Sequence, residues 1–279
     1  MTALAWLVRT LKPGNVEGLR RNLSQVFPGK SDAEIRDIMR RNTSNYGRFW
    51  VDLFRIPKMN PAARAALVRV DGEHYLQEAL DAGKGCLVVS IHMGGWEGCA
   101  SYWGARRDQF HTGLITEVLE PPALWRQVLR LRQSTGLEII PLGRTAARDI
   151  IRRLRDNGVV AGAIDRDILG TARPRRFFGA QAPIPTGMFE VAQRTGAPIL
   201  PVICLRDPGD TYRVIGFEAI PVAAGAEALE GAIDQTLRLF ESCIRDHPDQ
   251  WHVMAPIFTS NPTGAEAEKM PVAEEALVG

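Results

Sequence analysis

The pattern that most restricts what this chain can fold into is a series of short apolar runs separated, for the most part, by helical segments. The runs are Cys86–Ile91, Gly113–Val118, Glu138–Leu142, Val159–Ile164, Pro198–Leu205 and Tyr212–Phe217. The segments between them are Trp96–Arg106, Pro122–Thr135, Thr145–Asn157 and Gly187–Thr195. In the third, Ala147, Ile150, Ile151 and Leu154 share one face and Arg148, Asp149, Arg152 and Arg153 the other, with Asn157-Gly158 as the stop. Strands joined by helical crossovers pair in parallel, and a parallel sheet needs helices over its faces. The expected fold class is therefore α/β, a single domain with a mostly parallel central sheet flanked by helices.

A helical extension precedes this unit, with helices expected at Asn15–Phe27 and Ser31–Phe54. Ser31-Asp32-Ala33-Glu34 has the form of a capping box, which marks the second start. Pro57, Pro61 and Gly72 then break the chain before a short helix at Glu73–Ala82, and a last helix spans Ala226–Asp246. The reading divides the chain into a membrane-facing helical segment (1–60), an α/β domain (61–260) and a disordered Ala-, Glu- and Pro-rich tail (261–279).

Composition sets limits on location and partners. Four scattered cysteines form no CxxC motif and read as buried free thiols. No apolar run approaches the ~20 residues needed to cross a bilayer. The apolar opening Met1–Val8 lacks a basic leader and a cleavage site, so the chain is expected in the cytosol, reaching any lipid substrate from the cytoplasmic face of the membrane. Residues 1–60 hold eleven Lys or Arg against five Asp or Glu, a net +6, whereas the whole chain carries +2. Interleaved with Trp6, Phe27, Trp50 and Phe54, that charge suits an anionic membrane surface, with a solvated helix face as the plain alternative. No recognition motif accompanies it, so nucleic acid is not an expected partner.

Three segments carry candidate chemistry. His92 follows the run Cys86–Ile91, where open α/β sheets place their ligands, and Gly94-Gly95 allows a tight turn into a helix whose first turn holds Trp96 and Glu97. A neutral imidazole takes a proton from a hydroxyl near neutral pH, and a carboxylate on its far nitrogen would fix the tautomer. Read this way, His92 and Glu97 converge across the turn; a structural histidine bonded to a backbone carbonyl is the alternative. Glu117 ends another run, with Arg132 near the end of the helix after it, where a basic residue is expected for dipole reasons alone. Asp165-Arg166-Asp167 ends a third run and reads as an anion-binding site, an oxygen-ligand metal site or a salt-bridged loop. Arg173, Arg175 and Arg176 form a nearby basic cluster, while Phe177-Phe178-Gly179 and Pro183–Gly187 form an apolar turn that lines a groove or packs the core.

Taken in order, these segments resemble one known family. His92-Met93-Gly94-Gly95-Trp96-Glu97 resembles the H-x4-(D/E) motif of glycerolipid and lipid A acyltransferases, closest to the phosphatidylinositol mannoside acyltransferase branch. The likeness continues through Glu117–Pro121, Arg132 to Gly136, Asp165–Asp167, Phe177–Gly179, Pro185–Gly187, Thr195–Pro201 and Trp251-His252. It implies His92 as general base with Glu97 as its orienting partner, and Arg132 as the cation facing the oxyanion. It also implies that Glu117 holds Arg132 or an acceptor hydroxyl, and that Asp165 and Arg166 face the head group. Gly94, Gly95, Trp96, Phe178, Pro185 and Gly187 would line the substrate site.

The implied reaction is direct attack on a thioester, with acyl-CoA or acyl carrier protein as co-substrate, a glycolipid acceptor, and neither metal nor cofactor. A lysophospholipid or glycerol-phosphate acyltransferase using Arg173–Arg176 for phosphate is the nearest alternative. A metal-dependent hydrolase built from His92, Glu97, Asp165 and Asp167, and a non-catalytic lipid-binding relative, are the others.

Overall fold

The computed structural model describes residues 13–259, so the apolar opening, with Trp6, and the C-terminal tail lie outside the described residues. Two helices, α1 (Pro13–Val26) and α2 (Asp32–Arg55), lead into a short helix α3 (Pro61–Ala66). There follow β1 (Val68–Asp71), α4 (Glu73–Asp81), β2 (Cys86–Ser90), α5 (Trp96–Ala105), α6 (Arg107–Phe110), β3 (Thr112–Thr116) and α7 (Pro122–Gln133). The rest is β4 (Glu138–Pro141), α8 (Ala146–Arg155), β5 (Val159–Ala163), β6 (Pro174–Phe177), β7 (Ala180–Pro183), α9 (Gly187–Thr195), β8 (Ile199–Asp207), β9 (Thr211–Gly216) and α10 (Ala226–Asp246).

Seven strands form one sheet in the order β1-β9-β8-β2-β5-β3-β4. Every neighbouring pair is parallel except β8 and β9, which run antiparallel. The expected mixed α/β class is observed, and the expected strands are present to within a residue or two at each end. Sequence pattern alone missed β1, a four-residue run on a sheet edge, and the β6–β7 hairpin. The hairpin turns on Phe178-Gly179, both at positive φ (49° and 77°). A two-residue hairpin loop of type I′ needs that geometry at both positions, and a bulky Phe hides the signal.

Alternation along β2 decides which layer each side chain meets. Leu87, Val89 and Ile91 pack with Ile150 of α8, Phe189 of α9 and Ile233 of α10. Cys86 and Val88 pack with Leu76 of α4 and Cys99 of α5. The next residue in the even series is His92, so it leaves the strand on the α5 side.

The N-terminal helices join each other through Leu19, Leu23, Ile35 and Ile38. The Ser31 capping box is present in full. Both helices are also tied to the segment after α10. Asn22 donates to the carbonyls of Val253 (3.0 Å) and Ala255 (2.8 Å), and Asn42 donates to that of Trp251 (2.6 Å). Asp52 of α2 forms a buried ion pair with Arg206 of β8. The same segment after α10 reaches the site.

Candidate active site

The register of the central strands places the site. Ser90 of β2 lies opposite Ala163 of β5. Two residues further along each chain come His92 and Asp165, so their side chains emerge together at the carboxyl edge. His92 Nδ1 is 2.6 Å from Asp165 Oδ1, and the His92 backbone N–H donates to Asp165 Oδ2 at 2.8 Å. Trp251 Nε1–H donates to the same Oδ2 at 2.9 Å. Burial on its own would push the Asp165 carboxyl up, but the charge of His92 and the bonds from His92 and Trp251 outweigh it. The carboxyl is held below the usual range and is ionised at neutral pH. An ionised carboxylate only accepts, so the proton of the neutral imidazole sits on Nδ1 and Nε2 keeps its lone pair. Asp165 is 1% exposed and the imidazole 26%, so the ring is open to solvent and its anchor is not.

Glu97 takes a different partner from the one expected. It lies in the first turn of α5 and accepts from Arg132 of α7, from Nε at 2.9 Å and from Nη2. Arg132 Nη1 also reaches Thr116 Oγ1 at 3.5 Å. The expectation that Glu97 orients His92 is corrected: Asp165 holds the imidazole, because strand pairing puts it flush with His92. Glu117 likewise does not hold Arg132. Its carboxylate is 3.5 Å from the Arg166 guanidinium, across the ends of β3 and β5.

The turn between β2 and α5 is pinned from outside. Gly94 N–H donates to Gln250 O, His252 N–H donates to His92 O (both 2.8 Å), and Met93 bridges Trp251. Gly94 sits at φ 60°, and a Cβ there would run into Cys204 O and Leu205 of β8. A Cβ on Gly95 would strike the Tyr212 ring. The two glycines thus let the turn lie flat on the sheet, as the sequence led us to expect.

An aromatic wall stands beside the imidazole. Trp96 meets His92 edge-on at 5.7 Å between ring centroids and packs on Phe49 at 4.3 Å. Tyr46 lies 5.5 Å from His252, which is 5.7 Å from Trp96. Burial pushes the Tyr46 phenol up to about 12, with the charges of Arg166 and Glu117 acting on it in opposite senses. Burial, aided by the positive charges of His92 and Arg206, brings His252 down to about 3, so this ring is neutral throughout the neutral range. The sequence pointed to Trp251-His252 only as a motif; the roles of Trp251 on Asp165 and of Tyr46 in the wall were not foreseen.

Other expected site residues stand further back. Phe178 is buried against Trp251 and Phe258, supporting the indole that bonds Asp165. Pro185 and Gly187 lead into α9, which packs on the sheet face opposite α5. Asp167 turns its carboxylate back onto the backbone N–H groups of Gly170, Thr171 and Ala172. With Glu97 on Arg132 and Asp167 capping its own loop, the four residues of a conceivable metal site do not converge. Among the described residues no group of three His, Cys, Asp or Glu is placed to hold a metal.

An imidazole whose Nε2 is a lone-pair acceptor, backed by a buried carboxylate, is equipped to deprotonate a hydroxyl without a covalent enzyme intermediate. Base-assisted group transfer is chemistry such a pair can support. The sequence comparisons say which transfer it is. Residues 1–260 match the bacterial lipid A biosynthesis acyltransferase family, and the chain belongs to that family and is an acyltransferase. It is 33% identical over 250 residues to a phosphatidylinositol mannoside acyltransferase of Mycobacterium tuberculosis, covering 87% of this chain and 77% of that one. The protein of the same name from Mycolicibacterium smegmatis is 31% identical over 248 residues, covering 87% and 79%.

Proposed function

We propose that this acyltransferase moves a fatty acyl group from acyl-CoA or acyl carrier protein to a hydroxyl of a glycolipid, with a phosphatidylinositol mannoside or lipid A-like molecule as acceptor. It works as a peripheral protein at the cytoplasmic face of the inner membrane. The observation that carries this reading is the His92–Asp165 pair at adjacent strand ends, in a chain whose relatives are named phosphatidylinositol mannoside acyltransferases. No helix among the described residues is long and apolar enough to cross a membrane.

The proposed chemistry is a direct transfer. The acceptor oxygen attacks the thioester carbonyl carbon while its proton passes to His92 Nε2. Asp165 stabilises the imidazolium as it forms, since its ionised carboxylate already holds Nδ1–H. The tetrahedral oxyanion draws on the positive charge of Arg132, which Glu97 keeps in one orientation. Collapse breaks the carbon–sulfur bond, and the leaving thiolate takes the proton back from His92. Neither cofactor nor metal enters any step. For the acyl chain, the α5 side of the sheet offers a cavity of about 40 Å³ lined by Val70, Leu76, Val88, Trp103, Leu200 and Val214. It lies on the face from which His92 emerges, and α4 and α5 must part to admit a full chain.

Lysophospholipid or glycerol phosphate as the acceptor, its phosphate held by Arg173–Arg176, fits less well, because Arg175 is already paired with Glu230. The test is to incubate the purified protein with total membrane lipid and mixed acyl-CoA, and to identify products by mass spectrometry. A glycolipid gaining one acyl group, absent with His92→Ala, is expected. Conversion of lysophospholipid or glycerol phosphate alone would overturn the glycolipid reading.

A further inference from the structure

Among the described residues four large apolar side chains stand exposed: Val16, Val51, Val118 and Leu169. Two of them flank one ion pair. Val118 follows Glu117 on the loop leaving β3, and Leu169 lies three residues after Arg166 on the loop leaving β5, while Glu117 and Arg166 are 3.5 Å apart. The Leu169 loop is closed on itself. The Asp167 carboxylate accepts from Gly170 (2.9 Å), Thr171 (3.3 Å) and Ala172 (2.9 Å), so the turn holds Leu169 at its tip, 54% exposed. Burying a Val or Leu side chain is favourable, and at 44% and 54% exposure both leave part of that gain unrealised. Single exposed aliphatics are ordinary on any surface. Two on facing loops, at the carboxyl edge where His92 opens to solvent, form a pattern with a direction.

We propose that Val118 and Leu169 form a membrane-inserting rim: they enter the interfacial layer of an anionic bilayer and set the mouth of the site on the lipid surface. A lipid acceptor then brings its hydroxyl past Glu117 and Arg166 to His92 while its acyl chains stay in the bilayer. This rests on the lipid-acceptor reading above. The positive charge comes from exposed Arg173 beyond the Leu169 loop, and α2 borders the mouth through Tyr46. The helical front end by itself is a weaker anchor. Seven of its nine described Lys and Arg residues lie within 4.0 Å of a carboxylate.

The experiment is sedimentation of the full-length protein with vesicles of phosphatidylcholine, with and without phosphatidylglycerol. Wild type is expected to bind the anionic vesicles, and Val118→Asp/Leu169→Asp to bind at least about tenfold more weakly, each side chain losing its share of apolar transfer. Val16→Asp, on α1, is the control and is expected to bind as wild type. Acyl transfer to an acceptor embedded in vesicles should fall with binding in the double variant, while transfer to the same acceptor in detergent micelles stays at the wild-type rate. A folded double variant that binds anionic vesicles as tightly as wild type overturns the rim. Absence of product in micelles from wild type and variants alike, with vesicle binding kept by wild type and weakened in the double variant, would instead count against the glycolipid-acceptor reading and leave the rim standing.

Discussion

Asp165→Asn is expected to lower kcat/KM for acyl transfer by about 10³-fold in a protein that still folds, within the range that general-base catalysis supplies. The substitution keeps the shape and removes the reason His92 has one tautomer. The wild-type carboxylate accepts from three donors: His92 Nδ1–H, His92 N–H and Trp251 Nε1–H. An amide offers one oxygen, and the backbone and indole N–H groups compete for it. Its NH₂ then faces Nδ1, favouring the tautomer with the proton on Nε2, which cannot act as a base. Stability follows the same carboxyl. Its pKa lies lower in the folded chain than in the unfolded one, so its contribution is present above the ordinary carboxylate pKa of ~3.9 and lost as pH falls through the folded value. Asp165→Asn therefore also weakens the fold at neutral pH, and denaturant titration beside the kinetic assay separates the two effects. Activity within a few fold of wild type would remove Asp165 from the mechanism.

Arg132→Ala carries the second large effect, a fall of about 10²–10³-fold in kcat, the usual cost of losing one oxyanion partner. KM for the acyl donor should barely move, because the cation acts on charge that develops only in the transition state. Arg132→Lys should recover only part of the rate. A compact ammonium cannot reproduce the Nε and Nη2 contacts to Glu97 together with the Nη1 approach to Thr116. Glu97→Gln is expected to be milder, about tenfold, since the cation remains but is less firmly aimed. If steady-state kinetics showed Arg132→Ala raising KM with kcat unchanged, Arg132 would be a ground-state binding residue.

How far the sequence could be read depended on how local each signal was. The run Cys86–Ile91, the Gly94-Gly95 turn and the helix after it are adjacent in the chain, so the position of His92 at a strand end was legible. So was the α8 stripe of Ile150 and Leu154 against exposed Arg148 and Arg152. The partner of His92 was not legible, because it depends on strand order. Asp165 is 73 residues away and reaches the imidazole only because β5 lies beside β2 in register. Glu97, five residues away, looked the better partner by proximity in sequence. Yet the helix that carries it points its carboxylate at α7. Asp165, Arg166 and Asp167 read as one charged cluster, whereas the fold sends the first to His92, the second to Glu117 and the third to its own loop.

The most direct test is the protonation pattern of the His92 ring, read by ¹⁵N NMR of the imidazole nitrogens in wild type, Asp165→Asn and Glu97→Gln. The expected result is a single tautomer with the proton on Nδ1 in wild type and Glu97→Gln, and loss of that tautomer in Asp165→Asn. A ring disturbed by Glu97→Gln and unchanged by Asp165→Asn would contradict the account and return Glu97 to the place beside His92.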